Sequence, residues 1–142
     1  MQRALALAER ARDKGEIPVG AVIVKDKQLI GEGFNTPISQ HDASAHAEIQ
    51  AIRQACMHVE NYRLPATTMY VTLEPCTMCA GAIVHARIER VVIAAKEPRA
   101  GAAGSLLNVL QNEHLNHRCE TEFGLGAETS SNLLKTFFKA RR

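Results

Sequence analysis

Residues 68–95 read TMYVTLEPCTMCAGAIVHARIERVVIAA and predict the central unit of the fold. Its β-branched residues predict strands over 68–73 and 90–95. The segment between them has helical composition, and Pro75 suits the first position of a helix, where its missing N–H has no partner to lose. A strand, a helix and a strand joined by short connections form a βαβ unit. Such a unit makes its two strands parallel in a sheet that helices cover.

The rest of the chain supplies the other elements of this sheet and its covering helices. They are predicted, in chain order, as a helix at 4–11, an antiparallel hairpin of strands at 19–24 and 28–34, a helix beginning at or beside His46, a short helical piece at 106–110, a possible strand at 118–123 and a last helix from about 129. We therefore predict a single three-layer α/β domain around a mixed sheet.

Three finer expectations concern local structure. In the first helix, Leu5, Ala8 and Arg12 fall at i, i+3 and i+7, and Gly15 is a plausible end. Turn-forming residues are expected to keep regular structure out of residues 35–44. The small residues AGAAGS at 100–105 predict a loop too flexible to contribute to the core.

The composition is that of an ordinary globular domain. The chain has 142 residues, 46% hydrophobic and 23% charged, which suits one domain over 1–142 and excludes a disordered or coiled-coil chain. A net charge of +2 is far from that of a protein that coats nucleic acid non-specifically. The sequence shows no targeting signal and no apolar run that could span a membrane, so we expect a cytoplasmic protein.

The cysteines point to a metal or thiol site. Four cysteines in 142 residues are too few for a disulfide scaffold. Cys76 and Cys79 lie three residues apart at a predicted helix start, so they share a face, and the positive end of the helix favours their thiolates. His46, at the start of another helix, is the natural third ligand. Three protein ligands and an open fourth position are typical of catalytic zinc.

Glu48 follows His46 in the same helical turn. Zinc brings the pKa of a bound water near 7, and a nearby group must then accept and redeliver the proton. A carboxylate two residues after a ligand lies beside the metal without entering its coordination shell. We therefore predict that Glu48 is the general acid/base.

Other interpretations of each motif remain open at this stage. A single histidine near a helix start is commonly a cap or a solvated residue, and a glutamate in a first turn commonly serves helix electrostatics. The cysteine pair alone fits a thioredoxin-type redox pair, or half of a closed zinc site completed by Cys56 or Cys119. The joint presence of His-x-Glu and Pro-Cys-x-x-Cys favours catalytic zinc.

His-x-Glu followed by Pro-Cys-x-x-Cys resembles the signature of the zinc-dependent cytidine/deoxycytidylate deaminase superfamily. Within it, the chain is similar to the bacterial tRNA-specific adenosine deaminases. The likeness covers, between residues 18 and 110, the segments PVGAVIV, GEGFN, HAEI, NYRL, TLEPCTMCAGAIVHARI, RVV and GAAGSLLNVL. The loop before GAAGS departs from the bacterial pattern, because it carries Glu97 and Pro98 where Asp is more usual at the acidic position.

The resemblance implies a cytidine-deaminase-like fold with a five-stranded mixed sheet, working as a homodimer. It implies hydrolytic deamination of adenosine to inosine at the wobble position of a tRNA anticodon, by zinc-activated water with a glutamate proton shuttle. It also implies the site residues: one Zn²⁺ per subunit held by His46, Cys76 and Cys79, Glu48 as the shuttle, and Asn35 and Ala47 in substrate binding. The partner is the anticodon stem-loop, from which the base is splayed into the site.

The end of the chain combines cations and aromatic residues. Lys135, Lys139, Arg141 and Arg142 are interrupted by no acid, and Phe137 and Phe138 stand among them. We expect RNA contact from Phe137, Phe138, Arg141 and Arg142, through base stacking and phosphate binding. The alternative is that the cations favour a helix C-terminus and the phenylalanines belong to the core.

Two rival functions remain at the level of sequence. The first is a deaminase of a free base or nucleoside such as guanine or cytosine. The second is a non-catalytic subunit that folds around zinc and binds RNA. Glu48 argues against the second, because a purely structural zinc site has no need of a carboxylate there.

Overall fold

A computed structural model describes residues 1–142. It contains five strands and five helices, which are, in chain order, α1 (Gln2–Asp13), β1 (Gly20–Lys25), β2 (Gln28–Phe34), α2 (Pro37–Gln40), α3 (Ala47–Val59), β3 (Thr68–Leu73), α4 (Thr77–His85), β4 (Arg90–Ala95), β5 (Glu120–Phe123) and α5 (Ala127–Lys139).

The strands form one mixed sheet in the order β2-β1-β3-β4-β5. β1 pairs antiparallel with both β2 and β3, while β3, β4 and β5 are parallel. The predicted hairpin and the predicted βαβ unit are therefore confirmed. Helices α3 and α4 cover one face of the sheet, and α1 and α5 cover the other, giving the predicted three layers.

The two faces of β1 show how the core is divided. Ala21 and Ile23 belong to the main core cluster under α3 and α4, whereas Val22 packs with Ala4 and Leu7 of α1 on the opposite face. This alternation follows from the two-residue period of a strand. The main cluster has 21 buried residues and is by far the larger, so the α3–α4 face supplies most of the hydrophobic stabilisation.

Small residues let two helices lie unusually close to the sheet. A Cβ placed on Gly33 of β2 would stand 2.6 Å from the carbonyl oxygen of Ala47 and 2.8 Å from the amide nitrogen of Ala51. A Cβ on Gly20 of β1 would stand 2.0 Å from the carbonyl oxygen of Ala4. The absence of side chains at these glycines sets the distance from β2 to α3 and from β1 to α1.

The side of α1 that faces the sheet consists mostly of alanines. Ala4, Leu7, Ala8 and Ala11 are the buried residues of this helix, while Leu5 is only partly buried and Arg12 is exposed. The alanines face inward because Gly20 brings the strand against the helix backbone, where a larger side chain does not fit.

Three local predictions also need correction. Residues 37–40 form the one-turn helix α2, because Pro37 starts it and the Glu16 carboxylate accepts hydrogen bonds from the next two amides. Pro75 lies before α4 rather than in it, since Cys76 is the N-cap. Residues 106–110 are not helical. They have no regular structure except an isolated bridge between Asn108 and Ala103.

The AGAAGS segment is better ordered than its composition predicts. Gly101, Ala102 and Ala103 are buried, and both alanines belong to the main core cluster. The prediction that this loop lies outside the core was therefore wrong. None of the helices is both long and apolar enough to cross a membrane.

The close contact between β2 and α3 gives a test of the fold. We expect Gly33→Ala to lower the free energy of unfolding by about 1–3 kcal/mol, because the new methyl group overlaps backbone atoms of α3. The matched control is Gly81→Ala in α4, where an added Cβ meets no atom within 4 Å, so it should stabilise the protein by about 0.5–1 kcal/mol. Urea unfolding followed by circular dichroism measures both, and equal stability of the two variants would contradict this packing.

Candidate metal centre and active site

Two helix N-termini bring three metal-ligating side chains together. His46 is the N-cap of α3, Cys76 is the N-cap of α4, and Cys79 lies in the first turn of α4. His46 Nδ1 is 3.7 Å from Cys76 Sγ and 3.5 Å from Cys79 Sγ. All the ligand atoms lie within 4.8 Å of one another. The predicted grouping of His46, Cys76 and Cys79 is therefore present in the fold.

These separations suit a tetrahedral metal ion. Sulfur at about 2.3 Å and nitrogen at about 2.0 Å from a zinc ion stand about 3.5 Å apart at tetrahedral angles. The donor set of two thiols and one imidazole is also one that zinc prefers. The three residues could thus hold a metal ion while leaving one coordination position free.

The two thiols have opposite pKa shifts. The pKa of Cys76 is lowered to about 4, first because Cys79 donates a hydrogen bond to it and then because of its contact with His46. The pKa of Cys79 is raised by the hydrogen bond to Cys76 and by burial. The close contact of the two sulfur atoms thus favours the thiolate form of Cys76, the form in which a cysteine ligates a metal.

Glu48 is a buried carboxyl group outside the ligand cluster. It lies in the first turn of α3, and 4% of its surface is exposed. Burial raises its pKa to about 7, against the attraction of His46, which lowers it. A carboxyl group with such a pKa can both take and give a proton near neutral pH. It lines the same cavity as His46 and Cys76.

Asn35 joins β2 to the start of α3. Its Oδ1 accepts a hydrogen bond of 2.8 Å from the backbone N–H of Ala47, one of the amides that has no partner within the helix. Its side-chain NH₂ has no hydrogen-bond partner in the chain, and the residue lines the cavity beside His46. Ala47 is fully buried and does not line the cavity, so it contributes to the site through its N–H and not through its side chain.

The cavity has a volume of about 420 Å³, within the range of small-molecule sites. It opens at the carboxyl ends of the parallel strands β3 and β4, where ligands bind in open α/β sheets. Besides the site residues, its walls come from the chain before β1, the loop after β4 and one side of α5; the lining residues on those walls are Ile17, Val19, Lys96, Glu97, Ala100, Ser131, Leu134, Lys135 and Phe138.

The α5 wall was only partly found from the sequence. Phe138 is 44% exposed and lines the cavity, as does Lys135. Phe137 is 4% exposed, and the guanidinium carbon of Arg141 lies 3.5 Å from its ring centroid. Phe137 therefore has no free ring face, and its position does not support the predicted base stacking. Arg142 is exposed at the chain end, away from any protein side-chain partner.

The other two cysteines are not part of the centre. Cys119 is 2% exposed in the main core cluster, and burial raises its pKa to about 11. Cys56 donates a weak hydrogen bond to the carbonyl oxygen of Tyr62 at 3.6 Å. Neither lies in the ligand cluster, so a closed site with a fourth cysteine does not form in this fold.

Glu74 is a site residue that the sequence did not single out. It is 3% exposed, lines the cavity and accepts hydrogen bonds from the loop after β4. Its place directly before Pro75-Cys76 could have pointed to it. A single sequence, however, does not show whether a carboxylate is buried or solvated.

Comparisons with known proteins extend the resemblance to the whole chain. A family model described as MafB19-like deaminase matches residues 1–142. The tRNA-specific adenosine deaminase of Haemophilus influenzae is 51% identical over 143 residues, covering 100% of this chain and 83% of that protein. A solved structure of a deaminase studied for A-to-I editing at the wobble position of transfer RNA has a TM-score of 0.91 at 40% identity, covering 94% of this chain and 97% of that one.

A more distant structure shares the fold alone. The guanine deaminase from Nitrosomonas europaea has a TM-score of 0.82 at 21% identity, covering 96% of this chain and 81% of that one. The five-stranded sheet therefore does not by itself choose between a free base and a base within RNA.

The metal centre predicts a contrast between two buried cysteines. We expect Cys79→Ser to reduce the bound metal from about one ion per chain to about a tenth of that or less, because it removes one of three ligands. Cys119→Ser, a substitution at an equally buried cysteine outside the cluster, should keep its metal. Inductively coupled plasma mass spectrometry of the purified proteins measures both. Metal loss from both variants, or from neither, would contradict the three-ligand centre.

Proposed function

The chain belongs to the tRNA-specific adenosine deaminases, and we propose that it hydrolyses adenosine to inosine at the wobble position of a tRNA anticodon, releasing ammonia. The observation that carries this proposal is the position of Glu48, a buried carboxyl group that lines the same cavity as the ligand residues His46 and Cys76. Because the proposed substrate is a tRNA, we also infer a cytoplasmic location.

His46, Cys76 and Cys79 would hold the metal, which we infer is one zinc ion per chain. When bound there, zinc supplies a Lewis acid that lowers the pKa of water, so that hydroxide is available near neutral pH. The remaining chemistry belongs to the protein. Its residues must bind the base, exclude bulk water and move protons between the attacking water, the adenine ring and the departing amine.

Glu48 performs the proton transfers in this proposal. Its carboxylate takes a proton from the attacking water and delivers it to N1 of adenine as the C6–O bond forms. It then moves the proton of the new C6 hydroxyl group to the exocyclic nitrogen, so that the C6–N bond breaks, ammonia leaves and the carbonyl of inosine remains. A pKa of about 7 suits a group that must be base and acid in one turnover.

Asn35 and the cavity walls hold the nucleotide. The Asn35 carbonyl oxygen is occupied by the Ala47 amide, which leaves its NH₂ to donate to an acceptor on the substrate. The apolar side chains Val19 and Leu134 provide surfaces for a base, and the exposed ring of Phe138 offers a stacking face. A base paired in a helix cannot enter, so the target must come from an unpaired loop.

The basic end of α5 supports contact with the RNA backbone. Lys135 lines the cavity, and Lys139 and Arg142 are exposed on the same terminal segment. Arg141 covers Phe137 and contributes its charge to this surface as well. We infer that these cations bind phosphates around the anticodon.

We also infer a homodimer. Several large apolar side chains are exposed away from the cavity lining, and a monomer with such residues in contact with water gains by covering them. They include Met57 at 79%, Tyr62 at 69%, Leu106 at 58% and Leu107 at 50% exposure.

A substrate panel with one variant tests the proposed function. The protein should form inosine in an adenosine-bearing anticodon stem-loop and leave free adenosine, cytidine and guanine unchanged. Glu48→Gln should lower this rate by about 10³-fold or more while the metal content stays the same, because it removes the proton carrier and no ligand.

The control for this experiment is Glu89→Gln. Glu89 is exposed and precedes the amino end of β4, whereas the cavity lies at the carboxyl end, so this variant should keep full activity. Deamination of free adenosine, cytidine or guanine by the wild-type protein would contradict the proposal that the substrate is RNA. Retained activity in Glu48→Gln would contradict the proton shuttle.

The α5 cations give a prediction about salt. Replacing Lys135 and Lys139 by Gln should weaken binding of the stem-loop and reduce the slope of log K against log salt by about 1–2, because each phosphate contact contributes about 0.7–0.9. The matched control replaces Lys25 and Lys27 by Gln. Lys25 ends β1 and Lys27 lies in the turn that follows it. Filter binding at several salt concentrations measures both slopes, and equal slopes for the two double variants would contradict phosphate contact at α5.

A further inference from the structure

We propose that Glu74, which is neither a metal ligand nor the proton shuttle, is a positioning residue that fixes the loop at 96–105 as one wall of the substrate cavity. The part of this proposal that concerns substrate binding rests on the proposed function, whereas the part that concerns the loop does not. The loop leaves β4, presents Lys96, Glu97 and Ala100 to the cavity, and has no helix or regular strand of its own.

All the hydrogen-bonding capacity of the Glu74 carboxylate is directed to this loop. Oε2 accepts from the backbone N–H of Glu97 at 3.0 Å and from the hydroxyl of Ser105. Oε1 accepts from the backbone N–H groups of Ala103 and Ser105, each at 3.0 Å. The four bonds reach both arms of the loop, so one carboxylate holds its beginning and its end together.

The small residues of the loop are explained by this carboxylate. A Cβ on Gly101 would stand 2.4 Å from Cδ of Glu74 and 2.5 Å from the carbonyl oxygen of Glu97, so any larger residue would push the loop off the carboxylate. Ala102 and Ala103 are 0% and 4% exposed and pack into the core at the same place. The small side chains of GAAGS therefore allow the loop to pack closely around the buried Glu74 carboxylate.

The electrostatics of Glu74 agree with a charged anchor. Only 3% of the residue is exposed, and its two carboxylate oxygens accept four hydrogen bonds from the loop. Hydrogen bonds to an ionised carboxylate are stronger than those between neutral groups, so four of them hold the loop firmly.

The loop and the metal centre share this part of the backbone. The N–H of Glu74 donates to the carbonyl oxygen of Ala95 at 2.8 Å, and the N–H of Ala102 donates to that of Pro75 at 2.8 Å. These backbone bonds hold the segment before Cys76 without the Glu74 side chain. Changing the side chain should therefore release the loop wall while the metal ligands stay in place.

Glu74→Gln tests the proposal. Glutamine replaces one of the two accepting oxygens by an NH₂ group, which cannot accept a hydrogen bond from a backbone N–H. The bonds that this oxygen accepted are therefore lost. We expect KM for the anticodon stem-loop to rise by about tenfold, with kcat changed by less than about threefold and unchanged zinc content. Trypsin cleavage after the exposed Arg99 should become about tenfold faster or more.

Two further variants keep the test specific. Glu16→Gln alters another fully buried carboxylate that accepts two backbone N–H bonds, those of Ile38 and Ser39, and it should leave the cleavage after Arg99 unchanged. Ser105→Ala removes one donor to Glu74 and is a mild change at an exposed residue, so it folds even where Glu74→Gln does not. It should speed cleavage and raise KM by a smaller factor, about threefold, and add nothing in the Glu74→Gln background.

Three outcomes would overturn the proposal. One is unchanged cleavage after Arg99 in both Glu74→Gln and Ser105→Ala. Another is loss of zinc in step with the rise in KM, which would make Glu74 a support of the metal centre. The third is a fall in kcat with unchanged KM. If the wild-type protein does not deaminate RNA, the proposed function fails, but the cleavage rates still decide whether Glu74 holds the loop.

Discussion

The structure depends on one meeting of two helix ends, where His46 Nδ1 lies 3.5 Å from Cys79 Sγ. The chain brings these residues together from two different parts of the fold. The βαβ unit places α4 after β3, and the contact of β2 with α3 places His46 beside it. Both helices point their positive N-terminal ends at the site, which favours thiolate ligands. The position of α3, and with it that of His46, is fixed by the glycines of β2, the hydrogen bond from Ala47 to Asn35 and the buried alanines of α3.

Three buried glutamates show how environment decides the role of a carboxyl group. Burial of Glu48 raises its pKa to about 7, a value that suits the proposed proton transfer. Glu74 accepts four hydrogen bonds, which suits the proposed anchor. Glu16 accepts two backbone bonds from α2, which carries the cavity residue Pro37. The hydrogen bonds of Glu16 and Glu74 thus reach two different segments of the cavity wall, while Glu48 is the proposed proton carrier.

The sequence predicted the parts of the molecule that depend on local pattern. The hairpin, the βαβ unit and the grouping of His46 with Cys76 and Cys79 follow from strand composition, helix spacing and ligand chemistry. The failures concern contacts between distant residues. The helix α2 is set by Glu16, and the order of the GAAGS loop by Glu74. Each is decided by a partner more than 20 residues away in the sequence, which no local pattern reveals. The buried position of Phe137 under Arg141 likewise depends on how α5 docks on the sheet.

The proposed chemistry requires one zinc ion held by three protein ligands, with a fourth position left for water. Zinc K-edge X-ray absorption of the purified protein measures this set of ligands. We predict two sulfur ligands at about 2.3 Å, one imidazole nitrogen at about 2.0 Å and one further light atom at about 2.0 Å. A first shell of three or four sulfur atoms, or one without a light atom beyond the imidazole, would contradict a three-ligand centre with an open position.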